Sequence, residues 1–282
     1  SIPTISNSII KRYNNPGTLV VVSPYPKRGE MYSTGKTGVA SYTKNVIKNM
    51  RRRIIVLCDI DDQPESYIEN HILVIRCFKK GNADMWSDIL RVLRLFPEAK
   101  TTLTQYDFAM YGNPFVSSLG LLFLGYLRAR KYRTFVTLHH VVDDVIKLKG
   151  HVGLGSGPKD QFIGDMYNLL FHTFYRILAF VSSNVIVLET SLQEKLEKLA
   201  PWVKAAAIPH GVDASLKPIT MKLARKKLGI PANDHVILFF GYINWFKGAD
   251  IFARTFARVK TMLGKRTHVI IAGGESPTLA DK

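Results

Sequence analysis

Short segments in which nearly every residue is apolar recur along the chain, and they restrict the fold more than any other feature. Examples are RIIVLC at 53–58, ILVIRC at 72–77 and NVIVLE at 184–189. Strands of this kind are typical of parallel sheets that are covered on both faces, because neither side of the strand meets water. The pattern predicts strands near 18–23, 54–59, 72–77, 101–105, 133–138, 184–188 and 203–208.

Segments with helical periodicity separate these apolar runs. In the first of them Val39, Tyr42, Val46, Ile47 and Met50 share one face of an amphipathic helix. Strands that alternate with helices are the signature of a doubly wound α/β domain. Helices are predicted at 39–50, 83–95, 115–129, 161–182 and 191–199.

A turn-rich connection, IPHGVDASLKP at 208–218, interrupts this alternation. Two prolines and a glycine in eleven residues indicate a domain boundary, so we predict one domain at 1–213 and a second that begins at 214 and runs to 282. The second segment contains a short basic helix (MKLARKKLG), a strand (HVILFFG), a helix at 247–263 and a strand (THVIIAGG). Two strands cannot bury a stable open sheet, so we expect the second domain to be incomplete within these 282 residues.

The chain is strongly basic. It has 39 lysines and arginines against 22 acidic residues, for a formal net charge of +17. Such a surplus suits anionic partners, namely nucleotides, phospholipid surfaces or nucleic acid, although a merely solvated basic surface would have the same composition.

The two cysteines and the apolar segments bear on location. Cys58 and Cys77 both lie in strand-like runs, which predicts buried thiols and a reducing compartment. The uncharged stretch at 108–127 is interrupted by glycine, proline and serine, so we expect a buried helix rather than a bilayer span. The basic residues at 128–133 that follow would suit a membrane surface. The expected location is therefore cytoplasmic, and peripheral association with a membrane surface is the alternative that stays open.

The stretch GEMYSTGKTGVASYTKNVI at 29–47 contains Gly35-Lys36-Thr37, which looks like the centre of a P-loop. A P-loop requires a glycine five positions before its second glycine, and that position is Glu30. The match therefore fails, and the resemblance to a P-loop is accidental. Gly38 opens the following helix and would let a ligand approach the backbone closely, while a plain steric requirement is the alternative.

Five short motifs in the order expected of a known family occur along most of the chain. They are TGVASYTKNVIKNM at 37–50, QYDFAMYG at 105–112, FVTLHHVVDD at 135–144, IPHGVD at 208–213 and ILFFGYINWFKGADI at 237–251. Together they resemble the family 4 glycosyltransferases, the retaining sugar transferases of GT-B fold that include bacterial and archaeal mannosyl- and glucosyltransferases.

The resemblance implies two Rossmann-like domains with parallel sheets, the first on the acceptor side and the second binding the donor. It also implies transfer of a sugar from a nucleotide diphosphate sugar to a sugar or lipid-linked acceptor, with retention of the anomeric configuration. Basic side chains and helix N-termini would stabilise the departing diphosphate, so the resemblance implies no metal and no cofactor besides the donor. Nucleic acid is not an expected partner.

The resemblance assigns donor-binding roles to three residues. Lys247 matches the phosphate-binding lysine, Gly241 matches the glycine before the donor loop, and Gly38 lies in the glycine-rich opening of the first helix. The family's arginine after that glycine is absent, because Tyr242 and Asn244 occupy the two positions where it occurs. These side chains offer hydrogen bonds without charge.

The resemblance also assigns residues to the reacting centre. His139 matches the family's histidine near the donor sugar, and His140 replaces the usual aspartate. Tyr106 and Asp107 end a neighbouring strand and are expected to line the acceptor site. The family's two glutamates that face the donor would lie beyond Lys282, and a chain that ended there is expected to be a poor transferase.

Three other interpretations stay open. His139, His140, Asp143 and Asp144 contain the ligand types of a metal site, although adjacent histidines on a strand point to opposite faces. A nucleotide-sugar epimerase or a phosphorylase would share the fold but use different groups. A basic binding or scaffold protein without activity would explain the missing arginine, but the sequence lacks a recognisable nucleic-acid module.

Overall fold

The computed structural model describes residues 2–31, 38–108, 110–148, 155, 157–212, 217–243, 247–264 and 266–274. The chain divides into two compact units, Ser1–Gly211 and Val212–Lys282. The assignment of these units to the acceptor and the donor stays a prediction, because the division of the chain carries no information about ligands.

The first unit is built on an eight-stranded sheet with the order β3-β4-β2-β1-β5-β6-β7-β8. All neighbouring pairs are parallel except β3 with β4. The strands are β1 (Leu19–Val22), β2 (Ile54–Asp59), β3 (Glu65–Glu69), β4 (Ile72–Phe78), β5 (Thr101–Tyr106), β6 (Arg133–Leu138), β7 (Asn184–Val187) and β8 (Ala205–Ala207).

Helices cover both faces of this sheet, as the fully apolar strands predicted. The helices are α1 (Asn7–Tyr13), α2 (Gly38–Ile47), α3 (Met85–Leu93), α4 (Pro114–Ser118), α5 (Gly120–Ala129), α6 (Pro158–Val181) and α7 (Thr190–Leu199), with a short 3-10 turn at Ile146–Leu148. The larger core lies under α3, α5, α6 and α7. The smaller core lies on the opposite face, where α2 packs.

Three elements differ from the sequence-based predictions. Strand β3 was not predicted because its residues are mostly polar; it pairs antiparallel with β4 through a turn at Asn70, which has a φ of 57°. Helix α1 was not predicted either. The single helix predicted at 115–129 is two helices, α4 and α5. At the start of α5 a Cβ on Gly120 would lie 2.8 Å from a Trp86 ring carbon, so this contact excludes any side chain.

The second unit contains α8 (Met221–Leu228), β9 (His235–Phe240), α9 (Ala249–Leu263) and β10 (Thr267–Ala272), and β9 pairs with β10 in parallel. Gly229, with a φ of 66°, ends α8 in the left-handed conformation that favours glycine. The two strands end in close contact, because a Cβ on Gly273 would lie 1.8 Å from the carbonyl oxygen of Gly241. Glycine is therefore required at position 273.

Two further features concern the sequence-based expectations. Cys58 on β2 and Cys77 on β4 are buried thiols, as predicted. Within the described ranges, no helix combines the length and the apolar character needed to cross a membrane.

A buried arginine joins the edge of the first sheet to the loop after β1. The Arg76 side chain on β4 is fully buried, and its Nη1 lies 3.0 Å from the Oδ2 of Asp61. The same guanidinium donates to the backbone oxygens of Asp59 and Pro26, and it lies 3.3 Å from a carboxylate oxygen of Glu65 on β3. Arg76 thus connects β2, β3 and the start of the loop that leads to α2.

We expect Arg76→Ala to lower the free energy of unfolding by about 3–5 kcal/mol, because it leaves two buried backbone carbonyls and the partly buried carboxylates of Asp61 and Glu65 without this cation. The matched control is Arg91→Ala, whose exposed ion pair with Asp88 should contribute less than about 1 kcal/mol. Urea unfolding of both variants measures the difference. Equal losses in the two variants would contradict this account of Arg76.

Candidate functional site

The first unit has a topological switch point at β1. The chain passes from β1 to β2 on one side and later places β5 on the other, so the crossover connections diverge from the carboxyl ends of β1 and β5. Ligands of open α/β sheets bind in the crevice at such a point. The candidate site is therefore sought where β1, β5 and β6 end.

Helix α2 is held over this point by a buried hydroxyl pair. The Oγ of Ser23, directly after β1, lies 2.8 Å from the Oγ1 of Thr43 on α2. Gly38, the first residue of α2, is exposed, and a Cβ placed on it would meet no atom of the described residues within 4 Å. None of the described residues therefore fills the space beside Gly38, and Gly35-Lys36-Thr37 lies outside the described residues.

His139 follows β6 and is oriented by the residue that precedes Tyr106. Its Nε2 lies 2.9 Å from the Oε1 of Gln105, whose side chain is buried at the end of β5. Because an amide oxygen only accepts hydrogen bonds, Nε2 carries the proton and Nδ1 is the unprotonated nitrogen. In this tautomer the second ring nitrogen is an acceptor suited to a hydroxyl group.

The pKa of His139 is lowered to about 4, and burial is the largest cause. The neighbouring His210 and His140 lower this pKa further, whereas Asp107 raises it. Burial acts in this direction because a poorly solvated imidazole resists taking up a charge. His139 is therefore neutral at physiological pH.

Sequence reasoning missed two rings of this site, Tyr42 and His210. The Tyr42 ring on α2 makes edge-to-face contacts with His139, at 5.2 Å between centroids, and with His210, at 5.0 Å. Tyr42 was predicted to belong to the apolar face of its helix, but it is only partly buried and faces these histidines. An aromatic residue one turn after Gly38 was the signal available in the sequence.

The two residues predicted to contact the acceptor have different environments. Asp107 is partly exposed, and its Oδ2 lies 3.5 Å from the Nε2 of His140. Tyr106 is fully buried, and its hydroxyl donates to the backbone oxygen of Ser117. The Tyr106 side chain therefore belongs to the hydrophobic core and does not line a ligand site.

The loop after His140 is attached to α6. The backbone N–H of Val142 donates to the Tyr175 hydroxyl at 2.9 Å, and the N–H of Val145 donates to the Oδ1 of Asn168 at 2.6 Å.

The two carboxylates of this loop that could bind a metal have other partners. Asp143 pairs with Lys195 at 3.3 Å. Asp144 accepts a hydrogen bond from the side-chain nitrogen of Asn168 at 3.0 Å. Within the described ranges, no group of three or more His, Cys, Asp or Glu side chains has a metal-binding arrangement.

In the second unit, Gly241 directly follows β9 and has a φ of 140°, a conformation that favours glycine. Tyr242 follows it and is half-exposed, while Asn244 lies outside the described residues. Lys247 is exposed and lies just before the N-terminal end of α9, where Gly248 is the N-cap. A cation beside helix N–H groups is suited to a phosphate.

Comparisons with known proteins give a fold but no family. No protein-family model matches the chain, and no curated protein matches it. Among solved structures, the chain is similar to trehalose-6-phosphate synthase OtsA, with a TM-score of 0.57 and 13% identity over 94% of this chain and 66% of that one. It spans about two thirds of the length of such neighbours. Its fold is GT-B.

Two other structures with this fold were determined with ligands. One is described as trehalose-6-phosphate from E. coli bound with UDP-2-fluoro glucose; it has a TM-score of 0.53 and 12% identity over 94% of this chain and 66% of that one. The other is an alpha,alpha-trehalose-phosphate synthase from Burkholderia xenovorans in complex with glucose-6-phosphate, with a TM-score of 0.52 and 9% identity over 94% and 67%. At these identities the similarity shows the fold alone, and it confirms the predicted α/β GT-B class.

We expect the His139 imidazole to titrate near pH 4, well below the usual value for histidine, because burial opposes its charge. The unfolded state then binds more protons between about pH 6.5 and 4, so the stability that His139 contributes is present above that range and is lost as the pH falls through it. NMR titration of the histidine rings measures the pKa, with His139→Gln assigning the resonance and His235→Gln as the matched control. An ordinary pKa for His139 would contradict the buried, neutral imidazole.

Proposed function

We propose that the protein is a glycosyltransferase that moves a sugar from a nucleotide diphosphate sugar to an acceptor. The observation that carries the proposal is the set of side chains at the switch point of a GT-B fold: Tyr42, His139 and His210 converge where β1, β5 and β6 end. A binding site for a polar ligand is expected at this place in an open α/β sheet.

The first unit is assigned the reacting sugar and the acceptor. His139 is neutral, and its Nδ1 would accept a hydrogen bond from a sugar hydroxyl while Gln105 holds the ring. The Tyr42 ring packs edge-to-face against His139. It would also offer an apolar aromatic surface to the C–H groups of a sugar. Asp107, which is partly exposed beside His140, would accept a hydrogen bond from the acceptor.

The second unit is assigned the diphosphate. Negative charge builds on the leaving oxygen during transfer, so a cation aimed at that oxygen lowers the barrier. Lys247 supplies the charge, and the N-terminal end of α9 supplies N–H groups next to it. Gly241 lets the chain leave β9 in a conformation that other residues rarely adopt. Tyr242 contributes a hydrogen bond in place of the family's arginine.

The finer parts of the proposal rest on the motif resemblance. They are retention of configuration, a mannosyl or glucosyl donor, and an acceptor that is a sugar or a lipid-linked sugar. The solved neighbours include proteins described with a UDP-sugar analogue and with glucose-6-phosphate. UDP-glucose and GDP-mannose with phosphosugar or lipid-linked acceptors are therefore the first substrates to test.

The test is release of nucleotide diphosphate from each donor, with and without acceptor. We expect release to depend on the acceptor and the product to keep the donor's anomeric configuration by NMR. His139→Ala should abolish turnover, while His235→Ala, a change to an exposed histidine at the start of β9, should leave it unchanged. Release of nucleotide diphosphate at the same rate with and without acceptor would indicate an epimerase or a hydrolase instead.

Lys247→Ala should weaken binding of the nucleotide diphosphate by about tenfold or more, because a charge-assisted hydrogen bond to phosphate is lost. Lys260→Ala is the matched control, since Lys260 is an exposed lysine in the last turn of the same helix. Isothermal titration calorimetry with UDP and GDP measures both variants. Unchanged affinity in Lys247→Ala, with the fold intact by circular dichroism, would remove this residue from the donor site.

A further inference from the structure

The outer surface of α5 and α6 carries a long strip of exposed apolar side chains. Helix α6 has 24 residues, so it is about 36 Å long. On one of its faces, at helical spacing, Phe162, Leu169 and Phe180 are 71%, 67% and 62% exposed. The strip consists of Phe162, Met166, Leu169, Leu170, Ile177 and Phe180; the polar Thr173 lies among them, and the exposed Asp165 lies beside the strip near the N-terminal end of the helix.

Two connected grooves run between this strip and α4–α5. The first, of about 670 Å³, is lined by residues that include Phe115, Leu170 and Ile177. The second, of about 540 Å³, continues along α5 and shares Phe115 and Ile177 with the first. Exposed apolar surface of this extent marks a site that binds another apolar body.

Cations lie directly beside the apolar strip. The guanidinium of Arg128 at the end of α5 stacks on the Phe180 ring, with 4.9 Å between Cζ and the ring centroid. Two further exposed cations, Arg130 and Lys131, follow after Ala129. In the part of the chain that the structure describes, no carboxylate lies within ion-pair distance of these three cations.

A basic cavity adjoins the strip on the other side of α5. Its volume is about 470 Å³, and its lining includes four cations and one carboxylate. These residues are Arg94, Lys100, Arg130, Lys131 and Glu98. Helix α5 therefore separates an apolar groove from a cationic cavity, so apolar and positively charged surfaces are adjacent.

We propose that the α5–α6 face docks on a membrane surface that contains anionic phospholipid. The apolar strip would lie among the upper acyl segments, as the apolar face of an interfacial helix does, while Arg128, Arg130 and Lys131 contact lipid phosphates. Charge complementarity favours an anionic bilayer, because the cations beside the apolar strip have no carboxylate within ion-pair distance in the described part of the chain. The inference does not depend on the proposed sugar transfer.

The experiment is flotation of the full chain with vesicles of phosphatidylcholine alone or mixed with phosphatidylglycerol. We expect binding to the mixed vesicles only, weakening as salt is added. Leu170→Glu with Ile177→Glu should reduce binding about tenfold or more, because carboxylates would enter the apolar contact. The matched control is Met221→Glu with Leu228→Glu, which changes two exposed apolar residues at the same spacing on α8.

The charge contribution has its own pair of variants. Arg130→Glu with Lys131→Glu should reduce binding to the anionic vesicles about tenfold or more, since each cation near a charged surface adds favourable energy. Lys226→Glu with Lys227→Glu makes the same change of net charge on α8 and should bind as the unchanged protein does. Circular dichroism checks that all variants are folded.

Three outcomes would overturn the proposal. They are equal binding to both kinds of vesicle, no binding to either, and equal losses in a variant and its matched control. Light scattering tests a second copy as the occupant: a dimer that becomes a monomer in Leu170→Glu with Ile177→Glu would assign this face to self-association and not to lipid.

Discussion

Parallel strands cannot be joined by a tight turn, and the first unit depends on this constraint. Each parallel neighbour requires a crossover. The crossover from β1 leads to β2 on one side, and the crossover from β5 leads to β6 on the other. The ends of β1 and β5 are therefore left uncovered by any connection between them. The side chains proposed to act on substrate, His139 and Tyr42, lie at this place because of the order of the strands.

Buried polar contacts fix the positions of the groups around these strand ends. Gln105, one residue before the end of β5, decides which nitrogen of His139 carries the proton. The pair of Ser23 and Thr43 holds α2 against the end of β1. Arg76 anchors the backbone at Pro26, just after β1. None of these residues is placed on the ligand in the proposal, but each restricts where a ligand-binding group lies.

The sequence predicted the parallel sheet well, because strands buried on both faces have an unmistakable apolar pattern. It did not predict β3, whose polar residues pair at an edge. It identified His139 through a motif at a strand end, but not Tyr42 or His210. Contacts between rings from α2, β6 and the end of β8 depend on how distant segments pack, and one sequence does not specify those distances. Lys44 is not among the apolar residues predicted to form the buried face of α2, yet it is buried in an ion pair with Glu69 at 2.8 Å.

The contact between Gly273 and Gly241 couples two positions that are 32 residues apart. Since no side chain fits at 273, any substitution there would push against the carbonyl oxygen from which the chain departs after β9. A substitution at position 273, directly after β10, would therefore displace the backbone at Gly241, from which the chain continues toward Lys247. A chimaera in which β10 is replaced by the matching strand of another protein must therefore keep both glycines, because the backbones after β9 and β10 are in direct contact.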